Sequence, residues 1–216
     1  MSFSGKLKTL GFNIGQLPGA EKIFGLISMN GQVEGARSSD RTFDAHMDGM
    51  ISLIQINGYD YQNITLSGDL SKKTFDGSFA VEDPNLRMDF FGKIDASGEI
   101  PVFDFTANVD KANLFPLHIV QKDPSYTLSC LLKANFVGSN LDDFDGEINL
   151  INSLFQREDK QIQIYDFNLH AQQRPDTNHM ILESDLIDAE ILGNYNFKSI
   201  KKATELMFDH HFPALP

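Results

Sequence analysis

At 216 residues the chain is long enough for one large all-β domain or two small ones. A formal charge of −12 excludes the basic surface that nucleic acid or an anionic bilayer face requires, and the acids are scattered as on a self-repelling soluble exterior. One cysteine excludes an intramolecular disulfide, and no apolar run approaches the roughly 20 residues needed to span a bilayer as a helix.

Eighteen Phe against no Trp is an unusual apolar make-up. These rings either pack a core or line a groove for an apolar ligand. The N-terminus lacks a signal-peptide core of roughly 7–15 apolar residues and drops at once into alternation. The segment is therefore expected to be cytoplasmic or, by preference, cut from a longer secreted or anchored chain.

In chain order, Phe3, Gly5 and Leu7 predict a short strand at 3–7. From Lys8 to Leu26, two Gly-rich breaks and Leu17-Pro18-Gly19 predict a turn, followed by one helical turn through Ala20–Phe24. Alternation then predicts strands at 27–35, 42–48, 50–57, 61–70, 73–81, 85–95, 102–110, 126–138, 145–151, 161–172, 180–185 and 187–197. Asn57-Gly58, Leu70–Lys73, Asp83–Asn85, Ala96–Gly98 and Pro175-Asp176 mark turns short enough for an antiparallel meander. Lys111–Leu117 reads as a short turn or helix. Residues 198–208 predict an amphipathic C-terminal helix with Ile200, Ala203, Leu206 and Met207 on one face, to cap a sheet edge or dock on a following segment. The whole of 1–216 is expected to be a single β-rich segment, with the sheet over 27–197 and the helical cap over 198–208.

Several strands end on a glycine followed by a polar and an apolar residue. Ile64–Leu70 and Leu86–Ile94 show this, and looser copies lie at Ala134–Gly138 and Ala189–Phe197. In-strand glycines mark bulges or bends, and several in register would let a sheet curl into a trough. Side chains alternate faces along a strand. Phe103, Phe105, Ala107 and Val109 therefore share one face, opposite Asp104, Thr106, Asn108 and Asp110. The same parity groups Phe75, Gly77, Phe79 and Val81, and again Phe43, Ala45, Met47 and Gly49. Burying one Phe is worth about 1.5–3 kcal/mol. Such a row must be covered by a second sheet, by the same sheet curled over, or by a lipid chain.

No catalytic constellation rises above chance, so no catalytic residue and no cofactor are assigned and an enzyme is the weakest reading. The histidines lack metal-site spacing apart from His210-His211 near the C-terminus, and no metal ligand is assigned. Asp142–Glu147 is out of phase with a calcium loop and reads as an acidic turn. Cys130, within Tyr126–Leu132, reads as a small buried apolar residue in a strand. Asn63-Ile64-Thr65 is a formal glycosylation sequon.

The run Asn57–Gly68, then Phe75–Phe79, Glu82–Leu86 and Phe90–Asp95, resembles the TamB translocation and assembly family of the Bacteroidetes type, within the AsmA-like superfamily. Ala107–Leu114, Asn135–Asp143, and Ser184-Asp185 with Ala189 and Gly193 are similar too, so the likeness runs from about Gly31 to Phe197. The resemblance implies a segment of a long periplasmic protein anchored in the inner membrane. Its sheet would curl into a trough that carries phospholipid acyl chains toward the outer membrane, beside a BamA-like outer-membrane barrel. Neither the anchor nor the barrel-docking region matches anything in these residues, and the family offers no catalytic residue to transfer.

Together these readings predict an all-β, elongated, curled antiparallel sheet with a hydrophobic concave face. The expected lining is Phe43, Met47, Phe75, Phe79, Met88, Phe90, Phe103, Phe105, Phe136 and Phe167. The expected partners are phospholipid acyl chains, neighbouring segments of the parent chain and, through regions elsewhere, the barrel, with no nucleic acid. Two rivals predict different structures: a sealed dry sandwich with no ligand, and an assembly chaperone that offers an open sheet edge to unfolded outer-membrane strands.

Overall fold

The computed structural model describes residues 2–16, 23–37, 43–71, 73–121, 123–140, 142–174 and 176–194. They form one sheet of twelve strands in sequential order: β1 (Ser2–Asn13), β2 (Phe24–Arg37), β3 (Phe43–Ile56), β4 (Tyr59–Ser71), β5 (Thr74–Glu82), β6 (Leu86–Asp95), β7 (Val102–Asn113), β8 (Tyr126–Val137), β9 (Asp145–Arg157), β10 (Lys160–Gln172), β11 (Asn178–Ser184) and β12 (Ala189–Gly193). Every neighbouring pair is antiparallel, and β1 and β12 are the two edges of a sheet that does not close into a barrel. The fold is thus the curled all-β meander that the alternation predicts. Its turns follow the expected chemistry: Asn57 and Gly58 both take positive φ, 51° and 78°, which is the two-residue hairpin geometry that matches strand twist.

Four expectations are corrected. The sheet starts at Ser2 rather than Ile27, because β1 continues through Lys8–Asn13 and β2 begins at Phe24. Residues 42–57 form one fourteen-residue strand rather than two. Gly49 does not break it, because it lies directly across from Gly31 and keeps its place in the ladder. Of the two readings of Lys111–Leu117 the turn holds and the helix does not, and the turn starts later: β7 runs on to Asn113, and the turn follows. In the N-terminal region a single 3₁₀ turn sits at Ile14–Gln16, directly after β1, and Phe24 already belongs to β2. The rest of the predicted helical turn at 20–24 and the C-terminal helix at 198–208 lie outside the described residues, as does His210-His211.

The bend has a visible cause. Gly68, Gly77 and Gly92 stand directly opposite one another across β4, β5 and β6. A Cβ on Gly77 would sit 2.4 Å from the Ser67 carbonyl oxygen, and one on Gly92 would sit 2.4 Å from that of Asp104. Gly92 also holds φ at 141°, a backbone conformation that side chains disfavour. This stripe runs across the strands, so the crease and the groove it makes run along the sheet.

Directly opposed residues of an antiparallel pair share a face, which lets one surface be traced from strand to strand. The result is one apolar face and one polar face along the whole sheet. Among the described residues there is no second sheet and no α-helix. Substantial packing between elements occurs only between sheet neighbours and between β2 and the 3₁₀ turn. Side chains on the apolar face nonetheless reach burial as deep as Ala171 at 1% exposure. In a single layer this follows from the curl, which brings side chains of successive strands together.

Candidate functional site

The apolar face is the candidate site. Its register passes from Met47 to Gly68 and from Leu66 to Phe79, then to Phe90 and Ala107. It continues through Phe103 to Phe136, through Leu132 to Leu150, and on to Phe167 and Ser184. From Gly35 to Gly193 the opposed pairs on this face contain no charged side chain between the rims. Arg157 and Lys160, paired at the β9–β10 hairpin, stand at one rim.

Nine of the ten expected lining residues fall on this face. Met47 and Phe90 are buried, and Phe75, Phe79, Met88, Phe103, Phe105, Phe136 and Phe167 are half-buried. Phe43 opens β3 with its backbone opposite Arg37, and its side chain lies outside the described set. Six of the nine form one aromatic ladder. Phe79 stacks on Phe90 with centroids 4.5 Å apart, and Phe103 stacks on Phe136 at 4.6 Å. Phe105 bridges the two pairs, 5.0 Å from Phe90 and 6.5 Å from Phe103, while Phe75 lies 6.0 Å from Phe79. Phe167 stands apart on β10, opposite Leu150 and Ser184.

The expected lining omits three contributors. Phe144 continues the ladder 5.0 Å from Phe136 and is buried, although it precedes β9 in what reads as an acidic turn. The reason is local. Asp143 Oδ1 accepts hydrogen bonds from the amides of Ser139 and Asn140, which closes the turn and carries Phe144 onto the face. The second contributor is an aliphatic cluster of Ile27, Met29, Ile51, Ile54, Ile64, Leu66 and Val81 around Met47. The same parity that selects Phe79 would have found Leu66 and Ile64. The third is the segment after β7: Leu114 and Leu117 are buried against Tyr59, Tyr61, Leu86, Tyr126 and Leu128. This segment crosses one rim and reaches the β3–β4 turn, where His118 Nδ1 lies 3.2 Å from the Asn57 carbonyl oxygen.

That rim is fixed by a buried carboxylate. Asp83 accepts from the Tyr59 hydroxyl at 2.5 Å, the Gln62 amide at 3.0 Å and the Asn85 amide at 2.8 Å. Asn85 donates in turn to the Tyr59 oxygen and accepts from Asn113. Burial, and then the bond to Asp83, raises the Tyr59 hydroxyl above its ordinary pKa. Further along the rim, Asp123 accepts from Ser125 and from Arg157 Nε, and those bonds, Ser125 first, hold its pKa down to about 2. Each of these charged groups is matched, so they form girders rather than a reactive cluster.

Among the described residues the apolar face carries few polar side chains between its rims. Cys130 is buried there, and burial pushes its thiol up, away from the reactive thiolate. Ser153 is fully buried, with no hydrogen-bond partner for its hydroxyl among the described residues. No group of three metal-ligating side chains occurs among the described residues. The groove is a carpet of rings that stack on one another, not an enclosed hole. A shallow hollow of about 420 Å³ lies instead on the opposite face, bordered by Thr65, Ser67, Ser78, Asp89, Phe91 and Thr106. Ala80 also lines it beside Phe91, and most of its wall is apolar.

No family model matches the chain, and neither does any curated protein or solved structure.

Proposed function

We propose that this chain is a lipid-holding segment of a bridge-like protein that moves phospholipid between two membranes, with acyl chains lying along the apolar groove. The observation that carries this reading is the inner face itself: twelve strands long, free of charge between its rims, and covered by no second sheet among the described residues. At about 4.8 Å per strand the face runs on the order of 50 Å, longer than the roughly 15 Å that one leaflet of a bilayer core occupies. Several tails could lie in file. Each buried CH₂ contributes about 0.8 kcal/mol, so retention needs no headgroup site. Headgroups would stay in water beyond the rim, and movement would be passive, driven by flux. The dry-sandwich rival needs the apolar face to close on itself, whereas Phe75, Phe79, Phe103, Phe105 and Phe136 remain half-exposed. A periplasmic setting and work beside an outer-membrane barrel belong to the same proposal and rest on the resemblance to the TamB family.

The test is mass spectrometry of an organic extract of the purified chain, beside native mass spectrometry of the intact protein. Phospholipid at defined stoichiometry is the expected result. A ligand-free protein that also refuses phospholipid offered in mixed micelles would overturn the reading.

A further inference from the structure

The two edges of the sheet fit each other. β1 is an edge strand with no further strand paired beyond it among the described residues, and its inner face carries Phe3, Gly5 and Leu7. Its outer face carries Lys6 and Lys8, basic residues on an acidic chain. The opposite edge carries Glu190 on its outer face, 2.7 Å from His179 Nε2, with Ala189, Ile191 and Gly193 inside; the exposed Asp188 stands just before β12 and accepts a hydrogen bond from the Ser184 amide. Because strand direction reverses at each of the eleven neighbouring pairs, β12 runs opposite to β1. A second copy placed with its β1 beside β12 would therefore continue the antiparallel alternation.

We propose that copies of this chain stack head to tail through β1 and β12, extending one sheet and one groove. The register that sets Lys6 opposite Glu190 also sets Lys8 opposite Asp188. On the inner face the same register places Phe3 over Gly193, Ile191 over Gly5 and Leu7 over Ala189. Large over glycine is how this sheet already packs, at Phe3 and Gly35, Phe105 and Gly92, and Phe136 and Gly146. A Cβ at Gly5 or Gly193 would meet nothing within 4 Å, whereas one at Gly68, Gly77, Gly92 or Gly146 would strike a neighbour. The room that those central glycines lend to an adjacent strand is still vacant at the two edges. A two-fold pairing of β1 with β1 would instead oppose lysine to lysine, and like charges directly across a ladder are destabilising. The contact is heterologous, so it builds open chains rather than a closed dimer. The proposal rests on the edges alone and stands apart from the lipid reading.

The experiment is sedimentation equilibrium of the purified chain at low salt over a range of concentrations. Expected is a concentration-dependent series of oligomers that weakens with added salt. Lys6→Glu with Lys8→Glu, and separately Asp188→Lys with Glu190→Lys, should each weaken association about tenfold or more, since each reverses two cross-strand ion pairs. Mixing the two variants should restore it. All four positions are exposed, and an unchanged far-ultraviolet strand signal confirms that each variant is folded. Register is read from disulfides: chains carrying Ser4→Cys should cross-link to chains carrying Leu192→Cys and not to themselves. A monomer at every concentration, association indifferent to the charge reversals, or self-cross-linking of the Ser4→Cys chain would each overturn the proposal.

Discussion

Two stretches of the same face solve burial differently. Across β2 to β5 the face is aliphatic, and eight neighbouring side chains, from Ile27 to Val81, are all at or below 9% exposure. Across β5 to β9 it is aromatic, and of the stacked rings Phe90 and Phe144 are buried while Phe75, Phe79, Phe103, Phe105 and Phe136 remain half-exposed. Aliphatic side chains pack down to a closed floor where the crease is tight. The rings stack on one another along the groove and leave an apolar surface for something else to cover. The first stretch holds the curl, and the second is where a tail would lie.

The sharpest way to break this comparison is one charge placed in each stretch. Ile64→Asp buries a carboxylate with no partner in the closed floor and should cost about 4 kcal/mol or more, enough to abolish cooperative unfolding. Phe105→Asp falls on the open carpet. The chain should stay folded by circular dichroism and lose co-purifying phospholipid. If the Phe105 variant also unfolds, the aromatic stretch is a core like the other. If it folds and keeps its lipid, the lining assignment fails.

Next in size is the crease. Gly92→Ala adds a Cβ 2.4 Å from the Asp104 carbonyl oxygen at a φ of 141°. It should destabilise by about 3 kcal/mol in urea titration. Alanine at Gly5 meets nothing within 4 Å and should be nearly neutral in the isolated chain. Equal effects at the two positions would remove the crease as the source of curvature.

The rim comes third. Asp83→Ala strands the Tyr59 hydroxyl and the Gln62 and Asn85 amides and should cost about 2–3 kcal/mol, against about 1 kcal/mol for Tyr59→Phe. Thermal melts of the two variants rank them. An Asp83 variant no weaker than the Tyr59 variant would mean the rim is held mainly by Leu114 and Leu117.

Most of the sheet was legible because period-two alternation is a strong local signal, and because one buried face fixes register. Parity alone put Phe79, Phe90, Phe103 and Phe136 on one face, without any knowledge of which residues pair across strands. What stayed hidden was non-local. Gly49 reads as a break until Gly31 is known to lie opposite. Phe144 reads as part of a polar turn until Asp143 is seen to gather the Ser139 and Asn140 amides. Leu117 and His118 reach a turn some sixty residues earlier in the chain, where no local pattern could point. The aliphatic floor was visible in parity but overshadowed by the phenylalanines, which draw the eye to the open half.

The smallest expected effects are in pH, and they separate rim from outer face. The Asp123 carboxyl is held down to about 2 by Ser125 and then Arg157. Its contribution is present above the unfolded carboxylate value near 4 and is lost as pH falls through about 2. His46, on the outer face, is raised by its hydrogen bond to Asp69 at 2.8 Å, with Asp48 adding to it. A raised histidine stabilises below its unfolded value of about 6.5, and that contribution is lost as pH climbs through the folded value. Urea midpoints should therefore fall slightly from pH 6 to pH 8 in the wild type and stay flat in His46→Gln. They should fall from pH 4 to pH 2 less steeply in Asp123→Asn than in the wild type. His46 is exposed to solvent, so 0.5 M salt should shrink its difference. The Asp123 difference should survive better, because it rests chiefly on short bonds from Ser125. A salt response equal at the two sites would mean that the rim carboxylate is held by charge alone.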